Sequence, residues 1–295
     1  MHADEVRISE DTVRRLVAEQ FPQWRGSAVR TYTSEGTVHA IFRIGEDLAA
    51  RFPLLGDDPV QVEVLLRAEA DAARELASCS PFPTPTPVAI GAPGHGYPFP
   101  WAMQSWLPGQ VASVQDPAGS VDLARDLGAL IARLRSADTR GRRFSGGGRG
   151  GHLPDHDEWL EVCFTQSAGL LDVPRLRALW VELRRLPPAG PDVMSHGDLT
   201  PPNLLLAHGR LVGVLDGGGF APADPALDLV CAWHLLDREP REELRIVLAC
   251  GQVEWDRGRA WALQQAMGLV WYYVESNPVM SRWGRRTLER LLSET

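Results

Sequence analysis

Three polar residues in the second half of the chain have the types and spacing of a phosphoryl-transfer site. The stretch SHGDLTPPNLLLAHGRLVGVLD places Asp198 five residues before Asn203 and eighteen before Asp216. An aspartate can receive the proton of an acceptor hydroxyl, while an asparagine and a later aspartate can share a Mg²⁺ ion. The pattern therefore predicts Asp198 as the catalytic residue and Asn203 and Asp216 as the metal ligands.

The residues between Asn203 and Asp216 give a reason for this spacing. Two short apolar runs, 204–206 and 211–215, flank the sequence Ala-His-Gly-Arg, which is typical of a tight turn. A hairpin brings its two ends together, so the amide and the second carboxylate would lie at the same end. Two oxygen ligands suit Mg²⁺, which usually keeps its other positions for water and nucleotide phosphates.

The wider motif set resembles a known family. HGD-x4-N at 196–203, followed by Asp216 and by ADPALDL at 223–229, closely resembles the aminoglycoside phosphotransferase family, whose fold is similar to that of protein kinases. The resemblance implies transfer of a phosphoryl group from ATP or GTP to a hydroxyl of a small molecule, such as an aminoglycoside or another antibiotic. Relatives also act on macrolides, amino alcohols and sugars, so an endogenous metabolite kinase stays a close alternative.

The resemblance also implies a phosphate-binding half near the N-terminus. Arg51 ends a strand-like run at the position where the family places the cation that contacts the nucleotide phosphates. The chain contains no lysine, so an arginine must fill this position. Glu69, in the next predicted helix, is the expected carboxylate partner that holds the guanidinium in place. The alternative for Arg51 is an ordinary strand residue.

A loop over the phosphates is expected between two strand patterns. Ser34, Gly36 and Thr37 lie there, and the N–H groups and hydroxyls of a tight loop can contact phosphate oxygens. The richer glycine tract at 145–151 lacks the strand-loop-strand context that a phosphate loop requires. We interpret that tract as a loop near the substrate cleft.

The order of the predicted elements indicates an α+β protein with a bilobal, protein-kinase-like fold, in which a small antiparallel-sheet N-lobe precedes a larger, mainly helical C-lobe. Residues 9–20 have a capped amphipathic helix pattern, residues 29–52 alternate with period two, and residues 60–77 are rich in helix formers. Helical periodicity then recurs in six segments. They are 120–135, 156–170, 173–186, 224–237, 240–249 and 254–276.

A connector and a hinge are expected between the lobes. The Pro-rich segment that begins at residue 80 predicts a stiff extended chain. The apolar run that follows ends in Pro-Gly and is interpreted as the last N-lobe strand plus the hinge. Gln104 and Trp106 would present main-chain groups and an apolar wall to the nucleotide base. The expected boundaries are 1–104 for the N-lobe, 105–109 for the hinge and 110–295 for the C-lobe.

Four acidic residues are candidates for binding a cationic substrate. Asp155, Asp157 and Glu158 gather at the start of a predicted C-lobe helix, and Glu275 lies at the end of the last predicted one. Acids in a first helical turn are expected from the helix dipole alone. The family resemblance adds the second interpretation, because relatives bind amines with acids from these regions.

Composition limits the possible partners. The net charge of −8 and the pI near 5.5 disfavour nucleic-acid binding. No apolar stretch has the length of a signal region or membrane span, and four widely spaced cysteines are typical of free thiols in a reducing compartment. We expect a cytoplasmic monomer or homodimer that binds a nucleoside triphosphate and a small hydroxyl compound, with no membrane partner.

Two other classes of protein compete with the kinase hypothesis. A nucleotide-binding pseudokinase that regulates a partner is favoured weakly by arginine at the usual lysine position, although the complete Asp-Asn-Asp set argues against it. A metal-dependent hydrolase built on His196 and Asp198 would need a second cluster of histidines and carboxylates, which the sequence does not supply.

Overall fold

The computed structural model describes residues 6–32, 39–146 and 148–294, and the chain divides into two compact units. The first unit comprises Met1–Ser78, Pro83–Pro108 and Asp216–Gly218. The second comprises Cys79–Phe82, Gly109–Leu215 and Gly219–Thr295. Asp216 therefore belongs to the first unit, although Leu215 before it belongs to the second.

The first unit is an antiparallel sheet with two helices among its described residues. Its elements are α1 (Glu10–Gln20), β1 (Val29–Tyr32), β2 (His39–Ile44), β3 (Leu48–Pro53), α2 (Pro59–Cys79), β4 (Pro87–Gly91) and β5 (Trp101–Ser105). The strand order is β1-β2-β3-β5-β4, and every neighbouring pair is antiparallel. Ser9 caps α1 by accepting a hydrogen bond from the Thr12 N–H at 3.2 Å, as the sequence predicts.

The two faces of this sheet differ because side chains alternate along each strand. One face is apolar and packs against α1 through Val13, Leu16 and Val17. Its strand residues include Phe42, Ile44, Phe52, Trp101 and Met103. The opposite face carries Arg51, whose strand neighbours in register are Ile41 and Ala102.

Helix α2 confirms the predicted helix, and only part of its apolar surface is buried. Val64 and Leu65 match helical spacing in the sequence, yet they are 55% and 61% exposed. The buried positions are Val62, Leu66 and Leu76. The helix is apolar on more than one side, so periodicity alone does not decide which side packs.

The second unit is mainly helical. Its helices are α3 (Val121–Arg135), α4 (Asp157–Gln166), α5 (Val173–Leu183), α6 (Val230–Leu235), α7 (Arg238–Val247), α8 (Gln252–Tyr272) and α9 (Pro278–Leu292). Its strands are β6 (Gln110–Val111), β7 (Val193–Ser195), β8 (Leu204–Ala207), β9 (Arg210–Val214) and β10 (Ala221–Ala223). They form the sheets β6-β8-β9 and β10-β7.

The predicted hairpin between Asn203 and Asp216 is present as β8 and β9. Ala207 pairs with Arg210, and the two residues between them, His208 and Gly209, have φ of 52° and 73°. Two positive φ values in a two-residue turn match the right-handed twist of the strands, and glycine adopts such values without strain. The Leu215 N–H donates to the Asn203 carbonyl at 2.7 Å, which closes the open end of the hairpin.

Two helix predictions for the second unit need correction. The α-helix does not begin at residue 224: Asp224 and Asp228 turn inward to accept hydrogen bonds, Leu227–Leu229 form one 3₁₀ turn, and α6 starts only at Val230. The sequence analysis also missed α9, although its buried Leu288 and Leu291 are three residues apart, as an amphipathic helix requires.

None of the four cysteines, all of which lie in the described residues, forms a disulfide. Cys163, Cys231 and Cys250 are buried, and burial raises the pKa of each of these three thiols. Cys79, the last residue of α2, is partly exposed. None of the helices in the described part of the chain has the length and apolar character needed to cross a bilayer.

Candidate active site

The loop between β7 and β8 holds Asp198 in the second unit. The His196 ring is 1% exposed and connects two parts of this loop. Its Nε2 atom lies 2.9 Å from the Leu215 carbonyl, and its Nδ1 atom accepts from the Asp198 N–H at 3.3 Å. A ring engaged on both sides holds the loop in place, so the geometry gives His196 a structural role.

Asp228 holds the backbone of the same loop through two hydrogen bonds. Its carboxylate accepts from the His196 N–H at 3.0 Å and from the Gly197 N–H at 2.9 Å. Gly197 has a φ of 80°, a conformation that favours glycine. The buried carboxylate therefore fixes the backbone immediately before Asp198.

Three side chains donate hydrogen bonds to the Asp198 carboxylate. Oδ1 accepts from the Arg149 guanidinium at 2.9 Å and from the Gln265 amide at 2.6 Å. Oδ2 accepts from the Asn203 amide at 2.8 Å. The Asp198 side chain is still 38% exposed. Its carboxylate is thus oriented by three donors and open to a ligand.

Asn203 has its amide group oriented by the loop. Its Nδ2 atom donates to the Asp198 main-chain oxygen at 2.9 Å as well as to the Asp198 carboxylate. Because the nitrogen faces the loop, the Oδ1 atom is the one suited to a cation. The described residues contain no group of three or more His, Cys, Asp or Glu side chains that converge on a metal position.

Arg51 and Asp216 form an ion pair in the first unit. The Arg51 guanidinium donates to the Asp216 carboxylate at 3.0 Å, and the two side chains are 16% and 49% exposed. Asp216 has a φ of 57°, in the left-handed region where few residues other than glycine occur. Such backbone strain is common where a side chain must point to a functional position.

Glu69 lies near this pair but does not make the expected contact. The ion pair of Arg51 is to Asp216 rather than to Glu69. Burial raises the pKa of Glu69, the nearby Arg51 cation opposes this effect, and Asp216 adds to it. Arg51 therefore pairs with Asp216 and not with Glu69, and Glu69 lies close enough to both residues to interact with them electrostatically.

His39 belongs to the same polar group. Burial lowers the pKa of His39 to about 4, the nearby Arg51 cation adds to this effect, and Asp216 opposes it. His39 occupies β2 two residues before Ile41, the residue that pairs with Arg51, so it lies on the Arg51 face of the sheet. The sequence analysis missed this histidine.

The glycines after Asp216 pack closely on α2. A Cβ atom on Gly217 would lie 2.5 Å from Cδ2 of Leu76, and one on Gly218 would lie 3.0 Å from Cβ of Glu69. A Cβ atom on Gly217 would force Leu76 to move, and one on Gly218 would make a tighter contact than most real Cβ atoms do. The Asp216 backbone is thus fixed to the helix that carries Glu69.

The predicted nucleotide-binding residues have different outcomes. Ser34, Gly36 and Thr37 lie outside the described residues. Gln104 is in β5 opposite Ala49, on the Arg51 face of the sheet. The Trp106 N–H donates to the Asp47 carbonyl at 2.7 Å, so this main-chain donor is already used.

The Trp106 ring is part of a stack. It packs edge-on against Tyr32 with 5.0 Å between ring centroids, and the Arg43 guanidinium lies 5.0 Å from its centre. Met103, three residues before Trp106, is 1% exposed and belongs to the apolar core of the sheet.

The four predicted substrate acids have separate environments in the second unit. Asp157 accepts hydrogen bonds from Arg184 and from the Trp180 indole at 2.9 Å, so its carboxylate connects α4 to α5. Asp155 lies 3.0 Å from the His152 ring. Glu158 and Glu275 are exposed. The structure therefore gives Asp157 a structural role and leaves the other three accessible.

An aromatic cluster is formed by residues that are close in sequence to the exposed acids. Trp159 and Trp271 have their ring centroids 6.1 Å apart, and Tyr272 follows at 5.7 Å from Trp271. Trp159 and Tyr272 are 41% and 44% exposed. Trp159 packs on Gly268, where a Cβ atom would lie 2.9 Å from its ring. Exposed aromatic rings next to carboxylates can contact the apolar body and the cationic group of an organic amine.

Sequence reasoning missed Arg149 and Gln265. Each contacts Asp198 from a distant part of the chain, 49 and 67 residues away. No local motif marks either residue. The one available signal is that Arg149 is a cation inside the glycine tract that was interpreted as a loop near the substrate cleft.

Comparison with known proteins gives a family match over most of the chain. A model described as "Phosphotransferase enzyme family" matches residues 18–261. An aminoglycoside 3'-phosphotransferase of Escherichia coli is 38% identical over 81 residues, which are 27% of this chain and 30% of that protein. One of Salmonella typhimurium is 39% identical over 59 residues, 20% of this chain and 22% of that protein. The matched segments span less than a third of these relatives.

Solved structures resemble the chain over nearly its full length. The GDP complex of an aminoglycoside 2'-phosphotransferase-IIIa has a TM-score of 0.73 at 17% identity and covers 98% of this chain and 100% of its own. A macrolide 2'-phosphotransferase from Brachybacterium faecium has a TM-score of 0.61 at 19% identity, with coverage of 94% and 98%. At these identities the similarity concerns the fold, and the α+β fold class expected from the sequence is confirmed.

Proposed function

The chain belongs to the phosphotransferase enzyme family, and on that premise we propose that it transfers the γ-phosphoryl group of ATP or GTP to a hydroxyl group of a small molecule. One observation carries the proposal: the Asp198 carboxylate is held by Arg149, Gln265 and Asn203 and is still 38% exposed. An oriented, accessible carboxylate can accept the proton of an acceptor hydroxyl or fix its direction of attack.

The phosphoryl donor is proposed to be a Mg²⁺–nucleotide complex. Asn203 offers an amide oxygen and Asp216 a half-exposed carboxylate, and two oxygen donors fit a cation that keeps water and phosphate in its other positions. When bound, Mg²⁺ would neutralise charge on the phosphates. The names of two similar structures, which record a GDP complex and an ADP-bound form, support a nucleotide donor.

The remaining predicted residues take their roles within this proposal. Arg51 would contact the phosphates, with Glu69 nearby to orient it, and the loop that contains Ser34, Gly36 and Thr37 would cover them. Gln104 and Trp106 would lie beside the base. We propose residues 1–104 as the nucleotide-binding lobe, 105–109 as the hinge and 110–295 as the lobe that carries Asp198.

The acceptor is proposed to be an antibiotic with an amine, of the aminoglycoside or macrolide type. Two observations support this class. Similar proteins are named for those substrates. Glu158 and Glu275 are exposed, and in the sequence they lie within three residues of members of the aromatic cluster. Asp155 is a further candidate contact. An endogenous amino alcohol or sugar is the alternative acceptor. We also propose that the protein acts in the cytoplasm as a monomer or homodimer.

The decisive experiment measures ADP and GDP release from the purified protein with Mg²⁺ and a panel of aminoglycosides, macrolides, amino alcohols and sugars. We expect one acceptor class to accelerate release well above hydrolysis by water and to gain a phosphate that mass spectrometry detects. The reaction should stop when EDTA removes the metal.

A different result would change the proposal. Nucleotide binding without phosphorylation of any acceptor would favour a regulatory pseudokinase, in which the Arg51–Asp216 ion pair is a structural contact. Neither nucleotide binding nor turnover would contradict both functions.

A further inference from the structure

A chain of hydrogen bonds runs from Asp198 into the core of the second unit. The Gln265 amide nitrogen donates to Asp198 Oδ1 at 2.6 Å. The Gln265 amide oxygen lies 3.2 Å from Nε2 of His234. On the other side of the ring, Nδ1 of His234 lies 2.9 Å from the Thr287 hydroxyl. The loop, α8, α6 and α9 each supply one member of this chain.

The polarity of the chain follows from the Asp198 carboxylate. A carboxylate only accepts hydrogen bonds, so Gln265 must turn its NH₂ group toward Asp198 and its oxygen toward His234. That oxygen also only accepts, so Nε2 of His234 must carry the hydrogen. Nδ1 is then the acceptor. The Thr287 hydroxyl has one hydrogen and two acceptors within reach, Nδ1 at 2.9 Å and the Trp283 carbonyl at 3.1 Å, and with Nδ1 bare it donates to the nearer one. All three donors thus point toward Asp198.

Burial makes this arrangement rigid. His234 is 2% exposed, Thr287 is fully buried and Gln265 is 9% exposed. Burial lowers the pKa of His234 to about 3, so the ring is neutral and has a single hydrogen to place. Hydrogen bonds in series polarise one another, which strengthens the donor that the last member offers. By contrast, Arg149, the other donor to Oδ1, is 32% exposed.

We propose that Gln265, His234 and Thr287 are positioning residues that hold the Asp198 carboxylate in the orientation required for phosphoryl transfer. The inference rests on the proposed function, because these hydrogen bonds have a catalytic role only if Asp198 acts on an acceptor hydroxyl. None of the three residues touches the acceptor. They act through Asp198, because a carboxylate in a loop would adopt several rotamers without a fixed donor.

The test compares Gln265→Leu with Gln264→Leu. The two glutamines are neighbours on α8 and are 9% and 7% exposed, but Gln264 contacts His156 and not Asp198. Gln265→Leu should lower kcat about ten- to hundredfold, because a hydrogen bond to a carboxylate is lost, while KM for the nucleotide stays within about twofold. Gln264→Leu should change kcat by less than about threefold. Equal kcat values in the two folded variants would overturn the proposal.

Substitutions at His234 test the second step of the chain. His234→Gln keeps an N–H donor close to the position of Nε2, whereas His234→Leu removes it. We expect His234→Leu to lower kcat and His234→Gln to restore a large part of the loss, again without a change in nucleotide KM. Equal kcat values in the two variants would show that Gln265 acts without His234 and would overturn the extended chain.

The wild-type protein separates this inference from the proposed function. If it phosphorylates no acceptor, the proposed function fails before any variant is compared. If it is active and Gln265→Leu keeps full kcat, only the positioning role fails. Thermal melting of each variant identifies folded samples, and the α8 pair provides the test should His234→Leu not fold.

Discussion

At the scale of single residues, two aspartates with related proposed roles have opposite environments. Asp198 accepts from three donors in the second unit and keeps an accessible carboxylate. Asp216 is bound to Arg51 in the first unit, and its backbone adopts a φ of 57°. The first environment suits an oriented base and the second a ligand whose position is fixed by its backbone, so substitutions should affect different kinetic constants.

Replacement of Asp198 by asparagine should slow turnover by orders of magnitude. Asparagine has nearly the same shape, but its amide cannot take up a proton, and general-base catalysis contributes roughly 10²- to 10⁴-fold. We expect kcat to fall by about 10³-fold while calorimetry finds an unchanged nucleotide affinity. Asp71→Asn, on the exposed face of α2, is the matched control and should keep full activity. Near-normal turnover of the Asp198 variant would remove its catalytic assignment.

Replacement of Arg51 should instead weaken nucleotide binding. We expect Arg51→Ala to raise the nucleotide KM by about ten- to hundredfold, because a charge-assisted contact is lost. Arg51→Lys should recover part of that loss, since lysine keeps the charge without the planar pair of donors. Arg30→Ala, on the exposed edge strand β1, is the control. A nucleotide KM in Arg51→Ala equal to that of the control would make Arg51 an ordinary strand residue.

At the scale of elements, the features that depend on neighbouring residues were predicted better than those that depend on distant ones. The capped helix α1, the alternating strands β2 and β3 and the hairpin of β8 and β9 are confirmed, because each depends on neighbouring residues. The Asp198–Asn203 contact is equally local, since five residues separate the two.

Contacts made by tertiary packing were not predictable in the same way. Arg51 and Asp216 are 165 residues apart, and packing brings Arg51 to Asp216 instead of the nearer Glu69. Gln265 reaches Asp198 from the middle of a helix, where a buried glutamine gives no signal in the sequence. The inward turn of Asp224 and Asp228 likewise replaced the predicted start of a helix. The missed contacts of Arg51, Asp198 and Gln265 share one cause: the partner lies in another element.

The junction between Asp216 and α2 gives a prediction at this scale. Gly217→Ala would place a Cβ atom 2.5 Å from a methyl group of the fully buried Leu76. Overpacking of this kind typically costs about 1–3 kcal/mol. We expect urea unfolding to detect this loss and nucleotide affinity to fall because Asp216 is displaced. Gly219→Ala is the matched control, since its nearest neighbour would be 3.8 Å away. Equal stability of the two variants would contradict the close packing.

At the scale of the whole molecule, the use of arginine in place of lysine affects how the loops are held together. Arg257 donates to the Asp224 carboxylate and also to the carbonyls of Leu186 and Pro187. Arg290 donates to Asp237 and to carbonyls at the end of α6. A guanidinium has five donors in a plane, so one side chain can bind a carboxylate and several backbone oxygens at once. Lysine in these positions would leave buried carbonyls unsatisfied.

Each unit also contains a histidine that should make the protein unstable in acid. Burial lowers the pKa of His39 to about 4 and that of His234 to about 3. Below pH 6.5 these two histidines bind protons in the unfolded chain but stay neutral in the folded protein. The free energy of unfolding therefore decreases as the pH falls from 6.5 toward these values. We expect the melting temperature to decrease steadily between pH 7 and about pH 4.

The His39→Gln variant checks the source of this decrease. Glutamine does not titrate, so the variant should lose less of its melting temperature than the wild type over the same pH range. His95→Gln, which replaces an exposed histidine beside Glu19, is the control. Identical pH profiles for wild type and His39→Gln would assign the acid sensitivity to other groups.

The distribution of thiols makes the molecule suitable for optical labelling without any engineered cysteine. Maleimide dyes react with thiolates, and burial both shields Cys163, Cys231 and Cys250 and keeps them protonated. A dye added at neutral pH should therefore attach first at Cys79, the end of the helix that carries Glu69. One fluorophore at that site would give a defined position from which to test whether nucleotide binding changes its emission.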